Sequence, residues 1–417
     1  MTDSFDAVVV GSGPAGCTAA ILLGRAGARV ALLEAHRDPA YYKRLCTHSI
    51  RSSALPTIQR LGVESALEEL GAVHGHENTC TKHGWIRENG IPRRRPEHGL
   101  NVRRQTLDPL MRATAAAVPS VTVIMGTRVR ELTHDEDGRV NGVLADTGGQ
   151  SREIRSRLVV GADGNSSKIA ELAKLDGKAT PNRRFGYFAG YRGVHTPPGI
   201  SHAFWLGQPD VAYYFCNGSG VTILASFLDK ARLPEFREDR EAALLGMFKD
   251  LPDGPDLSHA ERVTDVIGTT DYPLITRKHI AAPGVALVGD AAMVGDPLWG
   301  VGCGWAFQSA EWLSDAVAPV LPCGSTHEID SAARRYQRKH RRKLRLHQLL
   351  CIDFSQHTGV NPLVDLIVAG AVRDPKVAET FLDVGTRNRS PLTLVSPLLL
   401  ARAAVAARGA PTATTTR

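Results

Sequence analysis

The chain has 417 residues, of which 43% are hydrophobic and 22% charged, a composition typical of a globular protein with two or three packed units. The net charge of +7 is modest and the basic clusters lack interleaved aromatic residues, so the sequence argues against nucleic-acid binding. No apolar run reaches the roughly 18–20 residues that span a bilayer, and the N-terminus has no signal-like segment. We therefore expect a cytoplasmic protein without a membrane or nucleic-acid partner.

The cysteines and histidines do not form a recognisable structural or metal framework. Seven cysteines are scattered without a Cys-x-x-Cys pair, which predicts free thiols in a reducing compartment. His74, His76 and His83 lie close in sequence, but third and fourth ligands at convincing spacing are missing. We therefore predict that the protein holds no metal ion.

The first 34 residues have the pattern of a β-α-β unit. Residues 6–10 and 29–33 are short apolar runs, and residues 15–26 between them form a helical stretch of small residues. Further elements are predicted in this order: helices over 51–71 and 107–118, strands over 121–161, an antiparallel sheet over 185–275, a strand, turn and helix over 285–315, and helices over 331–408.

A glycine-rich turn joins the first predicted strand to the first predicted helix. Its sequence is Gly11-Ser12-Gly13-Pro14-Ala15-Gly16. In such a turn the first glycine permits the tight bend, the second lets backbone amides approach a pyrophosphate, and the third lets helix and strand pack closely. Glu34, followed by Ala35, ends the second strand, where a carboxylate accepts hydrogen bonds from ribose hydroxyls. The unit predicts an adenine dinucleotide site but does not separate FAD from NAD.

Two later strands also end in a glycine and a carboxylate. Asp163 and Gly164 follow one strand, and Gly289 with Asp290 follow the other, where a carboxylate can bind ribityl hydroxyls. After Asp290 the chain continues through a loop with a proline and several glycines into a helix. This arrangement places backbone N–H groups near the flavin atoms N1 and O2, where negative charge accumulates on reduction. The loop residues expected to face the flavin are Pro297, Gly300, Gly302 and Cys303.

In this order and spacing, the three motifs resemble those of the FAD-dependent aromatic hydroxylases, which are single-component flavoprotein monooxygenases. The wider superfamily also contains flavin-dependent halogenases and geranylgeranyl reductases. The resemblance covers residues 1–34, 103–110, 158–168 and 284–316. It implies an α/β chain, α+β overall, with a Rossmann-like FAD-binding domain, an inserted antiparallel-sheet substrate domain and a C-terminal helical region.

The domain boundaries expected from this organisation follow the predicted elements. They are 1–175 for the first part of the FAD-binding domain, with 72–102 near the substrate domain, 176–275 for the substrate domain, 276–330 for the second part of the FAD-binding domain, 331–408 for the helical region and 409–417 for a disordered tail.

The resemblance also implies roles for the glycines and carboxylates of the motifs. The ADP half of FAD is expected at Gly11, Gly13, Gly16 and Glu34, and the ribityl chain at Asp290. The residues Asp163 and Gly164 match an Asp-Gly motif associated with FAD and NAD(P)H use.

Three further expectations concern the flavin ring and its surroundings. Pro297 is expected near the reactive carbon of the flavin, and Gly302 with Cys303 beside N1 and O2. Arg104 matches the arginine that contacts FAD ahead of a helix, and Arg103 is a near-equal choice.

The chain departs from the best-known aromatic hydroxylases at three positions. Met293 stands where many of them carry histidine, Gly304 where they usually carry asparagine, and Ala170 where an arginine often ends the Asp-Gly motif. These differences leave the reaction and the choice between NADH and NADPH open.

Several residues have weaker signals, each with a structural alternative. Arg44 could contact FAD, and His48 could act as an acid or base, or both could belong to an ordinary surface loop. The candidate substrate contacts are Trp205, Tyr213, Phe215 and Trp299, and the alternative for these aromatic residues is plain core. The basic run 334–345 could contact phosphate or a membrane, or be the solvated face of a long helix.

The leading functional prediction is an NAD(P)H- and O2-dependent FAD monooxygenase. By the resemblance, a flavin C4a-hydroperoxide would hydroxylate or epoxidise a small organic substrate, with an aromatic or polyketide-like natural product as the expected class. The alternatives are a reductase or dehydrogenase acting on prenyl or other C=C bonds, a flavin-dependent halogenase and a catalytically silent flavin-binding protein. The protein is expected to be a monomer or a homodimer.

Overall fold

The computed structural model of the protein describes residues 3–88, 99–207, 210–357 and 361–409. The tail predicted to be disordered lies outside these ranges from residue 410 onward. The strands are β1 (Asp3–Val10), β2 (Val30–Leu33), β3 (Ser49–Ile50), β4 (Val73–Gly75), β5 (Asn78–Thr81), β6 (Gly84–Arg87), β7 (Gly99–Asn101), β8 (Val121–Ile124), β9 (Thr127–His134), β10 (Val140–Thr147), β11 (Gln150–Gly161), β12 (Gly177–Thr180), β13 (Arg184–Arg192), β14 (His202–Leu206), β15 (Val211–Asn217), β16 (Val221–Asp229), β17 (Glu261–Arg262), β18 (Ile267–Thr269), β19 (Leu274–Arg277), β20 (Ala281–Ala282), β21 (Val285–Leu287) and β22 (Met293–Val294). The α-helices are α1 (Pro14–Arg25), α2 (Leu55–Leu61), α3 (Glu64–Glu69), α4 (Arg104–Ala116), α5 (Lys168–Leu172), α6 (Leu233–Glu238), α7 (Arg240–Gly246), α8 (Gly302–Val317), α9 (Thr326–Gln356), α10 (Pro362–Ala371), α11 (Pro375–Gly385) and α12 (Pro397–Arg408).

A largely parallel sheet carries the glycine-rich turn. Its strand order is β20-β21-β11-β1-β2-β8, with β10 and β9 attached beside β11. β1 runs parallel to β2 and to β11, and Ala7, Val8 and Val9 of β1 are fully buried, as strands of parallel sheets usually are. The following helix α1 is buried from Pro14 to Gly24. The β-α-β unit predicted for the first 34 residues is confirmed.

A second sheet is mainly antiparallel, and its strands from β13 to β18 come from the segment predicted to contain one, whereas β5 and β6 come from earlier in the chain. Its strand order is β17-β13-β16-β15-β14-β5-β6, with β18 beside β13. The pairs of β13 with β16, β16 with β15 and β15 with β14 are antiparallel, whereas β5 joins β14 in parallel. Phe236 of α6 and Leu244 of α7 pack into the apolar cluster on one face of this sheet.

The C-terminal part is helical, as predicted. Ser325 and Glu328 form a reciprocal capping box at the start of α9. The Tyr336 hydroxyl of α9 donates a hydrogen bond to the Leu287 carbonyl of β21 over 2.7 Å, which fastens this helix to the parallel sheet. The helices α10, α11 and α12 bury an apolar cluster of their own that includes Ile367, Val377 and other side chains. Together these layers confirm the predicted fold class.

One predicted helix is broken in the structure. Residues 51–71 contain a short 3-10 helix followed by α2 and α3. Gly62 ends α2 in the left-handed conformation, with φ of 72°, which glycine adopts without steric cost. Within the described ranges, no helix is both long and apolar enough to cross a membrane.

Two buried histidines of α9 are expected to make the stability of the fold depend on pH. Burial, aided by the charge of Arg387, lowers the pKa of His340 to about 3 and that of His347 to about 4. In the unfolded chain both titrate near pH 6.5, so their stabilising effect is present above that pH and is lost as the pH falls towards 4 and 3. We expect the free energy of unfolding, from urea titrations, to fall between pH 6.5 and 4.

The control is the double variant His340→Gln, His347→Gln, in which this pH-dependent loss should be smaller. Equal slopes in the two proteins over this range would show that other groups control the acid response.

Candidate functional site

The glycine-rich turn follows β1, and two of its glycines are required by the fold itself. Gly11 has φ of 102°, and a Cβ atom on it would lie 2.5 Å from the Ala162 carbonyl oxygen. A Cβ atom on Gly16 would lie 1.8 Å from the Gly11 carbonyl oxygen. Since these distances exclude any side chain, Gly11 and Gly16 allow β1, α1 and the end of β11 to pack together.

Gly13 does not have this structural role. Its φ of −73° and ψ of −177° are ordinary extended backbone, and a Cβ atom on it would meet no atom within 4 Å. The residue instead borders an open space, which we call the central cavity. Packing therefore does not explain a glycine here, whereas close approach of a ligand to the backbone does.

The central cavity brings together residues from all three motifs. The predicted cofactor residues that line it are Gly13, Pro14, Ala15, Arg104, Gly164, Asp290, Pro297, Gly300, Gly302 and Cys303. The wall contributed by the antiparallel sheet and the loop after it includes Gly186, Phe188, Phe227, Thr269 and Tyr272. Residues more than 280 positions apart in the chain thus meet at one site.

Two helix N-termini border the central cavity. α1 begins at Pro14 and α8 at Gly302. Neither helix has a capping side chain or an acidic residue in its first turn. Their first backbone N–H groups are therefore not used by caps, and together with the helix dipoles they favour an anion. A Cβ atom on Gly302 would come no closer than 4.0 Å to another residue, so this glycine, like Gly13, leaves room for a ligand.

Glu34 lies beside the glycine-rich turn, although it does not line the central cavity. Its carboxylate accepts hydrogen bonds from the Ser12 backbone amide over 3.0 Å and from the Ser12 hydroxyl over 2.6 Å. A third bond comes from the His36 amide over 3.0 Å. Burial alone would raise the pKa of Glu34, but these hydrogen bonds outweigh burial and hold the pKa below its usual value. The group is a fixed carboxylate at the end of β2, and the next residue, Ala35, is exposed.

Asp290 lies in the 3-10 turn that follows β21 and forms an ion pair with Lys43 over 3.1 Å. The charge of Asp290 raises the pKa of Lys43, although burial of the ammonium group opposes this effect. Both residues line the central cavity, so the carboxylate can accept hydrogen bonds from a polar chain and the ammonium group can donate them. The sequence-based prediction included Asp290 but missed Lys43.

Arg104 lies at the start of α4 and is buried in a bidentate ion pair. Its Nε and Nη2 atoms donate to the Asp108 carboxylate over 2.7 and 2.9 Å. Nearby, the thiol of Cys46 is in hydrogen-bonding contact with Cys303, which lowers the pKa of Cys46 and raises that of Cys303. The charge of Arg104 also lowers the pKa of Cys46, so this part of the cavity favours negative charge.

Two predicted carboxylate-motif residues position the cavity wall without lining it. Asp163 accepts hydrogen bonds from the Ser167 hydroxyl over 2.6 Å and the Ile169 amide over 3.0 Å, which fixes the start of α5. The amide of Gly289 donates to the Ser309 hydroxyl over 2.8 Å. A Cβ atom on Gly289 would lie 2.9 Å from the Cβ of Ala15, so this glycine allows the turn to pack against α1.

The weaker candidates Arg44 and His48 lie outside the central cavity. The Arg44 side chain is 61% exposed and pairs with Asp265 over 2.6 Å, so the expected FAD contact is not retained. His48 is buried with φ of 65°, and its Nδ1 accepts a hydrogen bond from the Arg104 amide over 3.1 Å. This hydrogen bond holds the His48 ring in place at the start of α4, and its role as an acid or base stays a prediction.

The aromatic candidates of the antiparallel sheet divide between its two faces. Trp205 belongs to the cluster with Phe236, and its Nε1 donates to the Pro252 carbonyl, so it is a core residue and not a substrate contact. Tyr213 and Phe215 belong to the opposite cluster. Since side chains alternate along a strand, Phe204 rather than Trp205 shares their face.

The face that carries Phe204 leads to a second cavity beside the loop 296–301, which we call the flavin loop. Phe204, Leu298, Trp299, Phe354 and Val368 are among its lining residues, and its volume is about 170 Å³. We call it the side cavity. Trp299 therefore lines an apolar space, and its role as a substrate contact stays a prediction, whereas Tyr213 and Phe215 line neither cavity.

Arg51 fastens the flavin loop, a role that the sequence did not indicate. Its Nε and Nη2 donate to the Trp299 carbonyl over 3.0 and 2.8 Å, and its Nη1 pairs with Glu77. Burial alone would raise the pKa of Glu77, but the charges of Arg51 and His202 lower it well below its usual range. The hydrogen bonds from Arg51 to Trp299 join residues 248 positions apart, a separation that no local pattern reveals.

Asp296 is a second residue whose role the sequence analysis missed. It is almost fully buried in the wall of the central cavity, and its Oδ1 accepts a hydrogen bond from the Leu298 amide over 3.1 Å. Arg184 lies 3.5 Å from Oδ2. Burial raises the pKa of Asp296 although the charge of Arg184 opposes it. An aspartate directly before Pro297 is a typical capping signal, and this signal could have identified it.

The predicted absence of a metal stays a prediction. His74 pairs with Glu68 over 2.6 Å, and His83 pairs with Asp365 over 2.9 Å. Glu64 lies close to the first pair, so that one potential ligand atom from each of Glu64, Glu68 and His74 lies within 4.8 Å of the others. This trio is at the surface and away from the central cavity.

Comparisons with known proteins agree with this geometry. Residues 4–211 match the FAD binding domain family. The chain is similar to a menaquinone reductase of Mycolicibacterium smegmatis, with 27% identity over 354 residues that cover 80% of each protein. It is also similar to a 6-methylpretetramide 4-monooxygenase of Streptomyces rimosus, with 28% identity over 341 residues that cover 76% of this chain and 75% of that protein.

The fold itself has a close structural match. A flavoprotein/dehydrogenase of Cytophaga hutchinsonii superposes with a TM-score of 0.79 and 16% sequence identity, covering 98% of this chain and 100% of that one. The glycines Gly13 and Gly302, which the fold does not require, and the uncapped helix N-termini beside them fit the phosphates and the ring edge of FAD.

The difference between Gly13 and Gly16 can be tested. We expect Gly13→Ala to fold normally but to lose FAD, because the new methyl group has room in the protein but would obstruct the backbone approach of the pyrophosphate. Gly16→Ala should lower the melting temperature even without FAD, because its methyl group would overlap the Gly11 carbonyl. The measurements are the melting temperature of flavin-free protein and the FAD content of purified protein, with the flavin identified by mass. Retention of FAD by Gly13→Ala would mean that the pyrophosphate lies elsewhere.

The anchoring of the flavin loop gives a second prediction. Arg51→Met leaves the buried carboxylate of Glu77 without its partner and should reduce the free energy of unfolding by about 3–5 kcal/mol. The matched control Arg44→Met breaks an exposed pair and should cost less than about 1 kcal/mol. Urea denaturation of both variants measures the difference, and equal losses would contradict the assigned role of Arg51.

Proposed function

We propose that the chain, whose residues 4–211 match the FAD binding domain family, is an NAD(P)H-dependent monooxygenase acting on a small organic substrate. The observation that carries this proposal is the central cavity, in which two uncapped helix N-termini and two unobstructed glycines face a wall with aromatic side chains. One side of such a site suits a flavin, and the other suits an apolar reactant.

We assign the residues of the central cavity to parts of FAD as follows. Gly13, Pro14 and the N-terminus of α1 bind the pyrophosphate, and Glu34 orients the adenosine ribose from the adjoining strand end. Asp290 and Lys43 hold the ribityl chain between a carboxylate and an ammonium group. The N-terminus of α8 stabilises negative charge on the nearby edge of the ring.

The chemistry that bound FAD would supply is hydride acceptance from NAD(P)H and, once reduced, reactivity towards O2. The protein contributes orientation, exclusion of water and control of protons. Phe188 and Phe227 supply an apolar wall opposite the glycine loop. Burial raises the pKa of Asp296, and Arg184 next to it favours the carboxylate form, so Asp296 is the group proposed for proton transfer in the cavity wall.

The side cavity is proposed to hold an apolar part of the substrate. It shares the Leu298–Trp299 segment of the flavin loop, whose neighbour Pro297 lines the central cavity. Its volume of about 170 Å³ resembles that of apolar protein cavities of about 150 Å³, which bind benzene. The substrate would thus combine a reacting group at the flavin with a ring-sized apolar group beyond Trp299.

A reductase acting on C=C bonds is the second candidate. The similarity to a menaquinone reductase across 80% of both chains favours it, and a flavin site of this kind serves either reaction. The two functions differ in whether oxygen enters the product.

Labelled oxygen separates the two candidates. We expect NADPH consumption to rise with the true substrate from an aromatic and polyketide panel, and one atom of ¹⁸O from ¹⁸O2 to appear in the product by mass spectrometry. Hydrogen peroxide is measured alongside to detect uncoupled turnover. A product two hydrogens heavier, formed equally fast without oxygen, would establish the reductase instead.

A further inference from the structure

A cleft on another part of the surface has a chemistry that the proposed flavin and substrate sites do not use. It lies between the antiparallel pair β12 and β19 and the middle of α9, and its volume is about 820 Å³. We call it the basic cleft, defined by the cations that line it: Lys178, Arg277, Lys278, Arg341 and Arg345. The last two belong to the basic run of α9 noted in the sequence.

The cations of the basic cleft are not engaged in ion pairs with described residues of the protein. Within the described part of the chain, none of its five cations forms an ion pair. Several lysines and arginines elsewhere in the protein each bind a carboxylate. Arg277 donates instead to the carbonyls of Ala291 and Leu175. Asp176 is the single acidic residue in the lining. The cleft therefore attracts anions with more than one negative charge.

The floor of the basic cleft differs from its rim. Ile280 and Met293 are buried there, and Leu349 and Ile352 extend the apolar surface along α9. Gln348 is almost fully buried in this floor. Its Nε2 donates to the Val294 carbonyl over 2.9 Å, but its Oε1 has no hydrogen-bond partner. A buried acceptor without a donor is costly, so a rotation of this amide towards a ligand that brings an N–H group would be favourable.

We propose that the basic cleft binds the phosphorylated adenosine part of an adenine nucleotide. Arginine and lysine side chains at the rim match phosphates, the apolar floor matches the face of a purine, and the free Oε1 of Gln348 matches its exocyclic amino group. If the reductant of the proposed function is NADPH, its 2′-phosphoadenosine end has this chemistry. Only that identification rests on the proposed function, since the binding itself follows from the cleft.

A nucleotide fits the cleft better than an acidic protein or an anionic membrane. An acidic protein or an anionic membrane would need only positive charge. Arg334, Arg338 and Arg342 on the same helix carry such charge outside the cleft. The enclosed volume and the unsatisfied amide oxygen of Gln348 call for a small ligand with a hydrogen-bond donor.

The test measures binding of 2′,5′-ADP to the FAD-saturated protein by calorimetry, so that the ADP half of the flavin site is already filled. We expect Lys278→Glu combined with Arg341→Glu to weaken binding at least tenfold. The matched control Arg338→Glu combined with Arg342→Glu makes the same charge change on exposed residues outside the cleft and should alter the dissociation constant less than twofold. Arg277 and Gln348 are unchanged in both double variants, and the melting temperature is checked for each variant.

A second comparison addresses the amide. Gln348→Met should weaken binding of 2′,5′-ADP but leave that of inorganic phosphate unchanged, because phosphate alone uses only the rim. Equal losses in the cleft and control variants, equal affinity for phosphate and 2′,5′-ADP, or no binding to the FAD-saturated protein would each overturn the proposal. Binding only to vesicles with an anionic lipid would assign the surface to a membrane instead.

These measurements need neither oxygen nor substrate. A failure of the monooxygenase proposal would leave the calorimetric result unchanged, and a failure of nucleotide binding in the cleft would leave the labelled-oxygen experiment unchanged.

Discussion

The register of the parallel sheet is the constraint on which the site depends. Val10 of β1 pairs with Leu33 of β2 and with Gly161 of β11, and Gly161 pairs with Leu287 of β21. Since parallel strands in register end at the same edge, the segments that follow these residues must emerge side by side. Each of the three motifs begins within two residues of such a strand end, so the sheet assembles the central cavity before any side-chain contact is considered.

A few ion pairs and close contacts fix the loops that leave this edge. The Lys43–Asp290 pair joins the loop after β2 to the turn after β21, and Arg51 with Glu77 holds the carbonyl of Trp299. The Arg51–Glu77 pair is nearly inaccessible to solvent, so removal of one partner leaves an uncompensated charge. The geometry of the flavin loop thus depends on residues far away in the sequence, and changes at those residues would alter the site without touching a ligand.

The central cavity combines hydrogen-bond donors on one side with apolar surface on the other. Two helix N-termini, Lys43 and Arg104 face the part assigned to FAD, and Phe188 and Phe227 come from the antiparallel sheet. Such an arrangement suits a cofactor with phosphates and a ring that gains negative charge on reduction. The side cavity and the basic cleft are separate from the central cavity. We propose that the side cavity binds an apolar group of the substrate and that the basic cleft binds a second nucleotide.

Local sequence patterns determined the elements and the cofactor class. The alternation of apolar runs with glycine turns predicted the β-α-β unit, the antiparallel sheet and the C-terminal helices, because these periods depend only on neighbouring residues. The glycine-rich turn and the strand-end carboxylates predicted an FAD-binding chain for the same reason. The tertiary structure alone decided which residues face a ligand. In the structure, Trp205 lies on the far face of its sheet, Arg44 and His48 have other partners, and Gly13 and Gly16 have different roles. The tertiary structure also shows that Lys43, Arg51 and Asp296 belong to the site or its supports. These outcomes depend on burial and on contacts between segments up to 248 residues apart, and a local pattern contains no information about either.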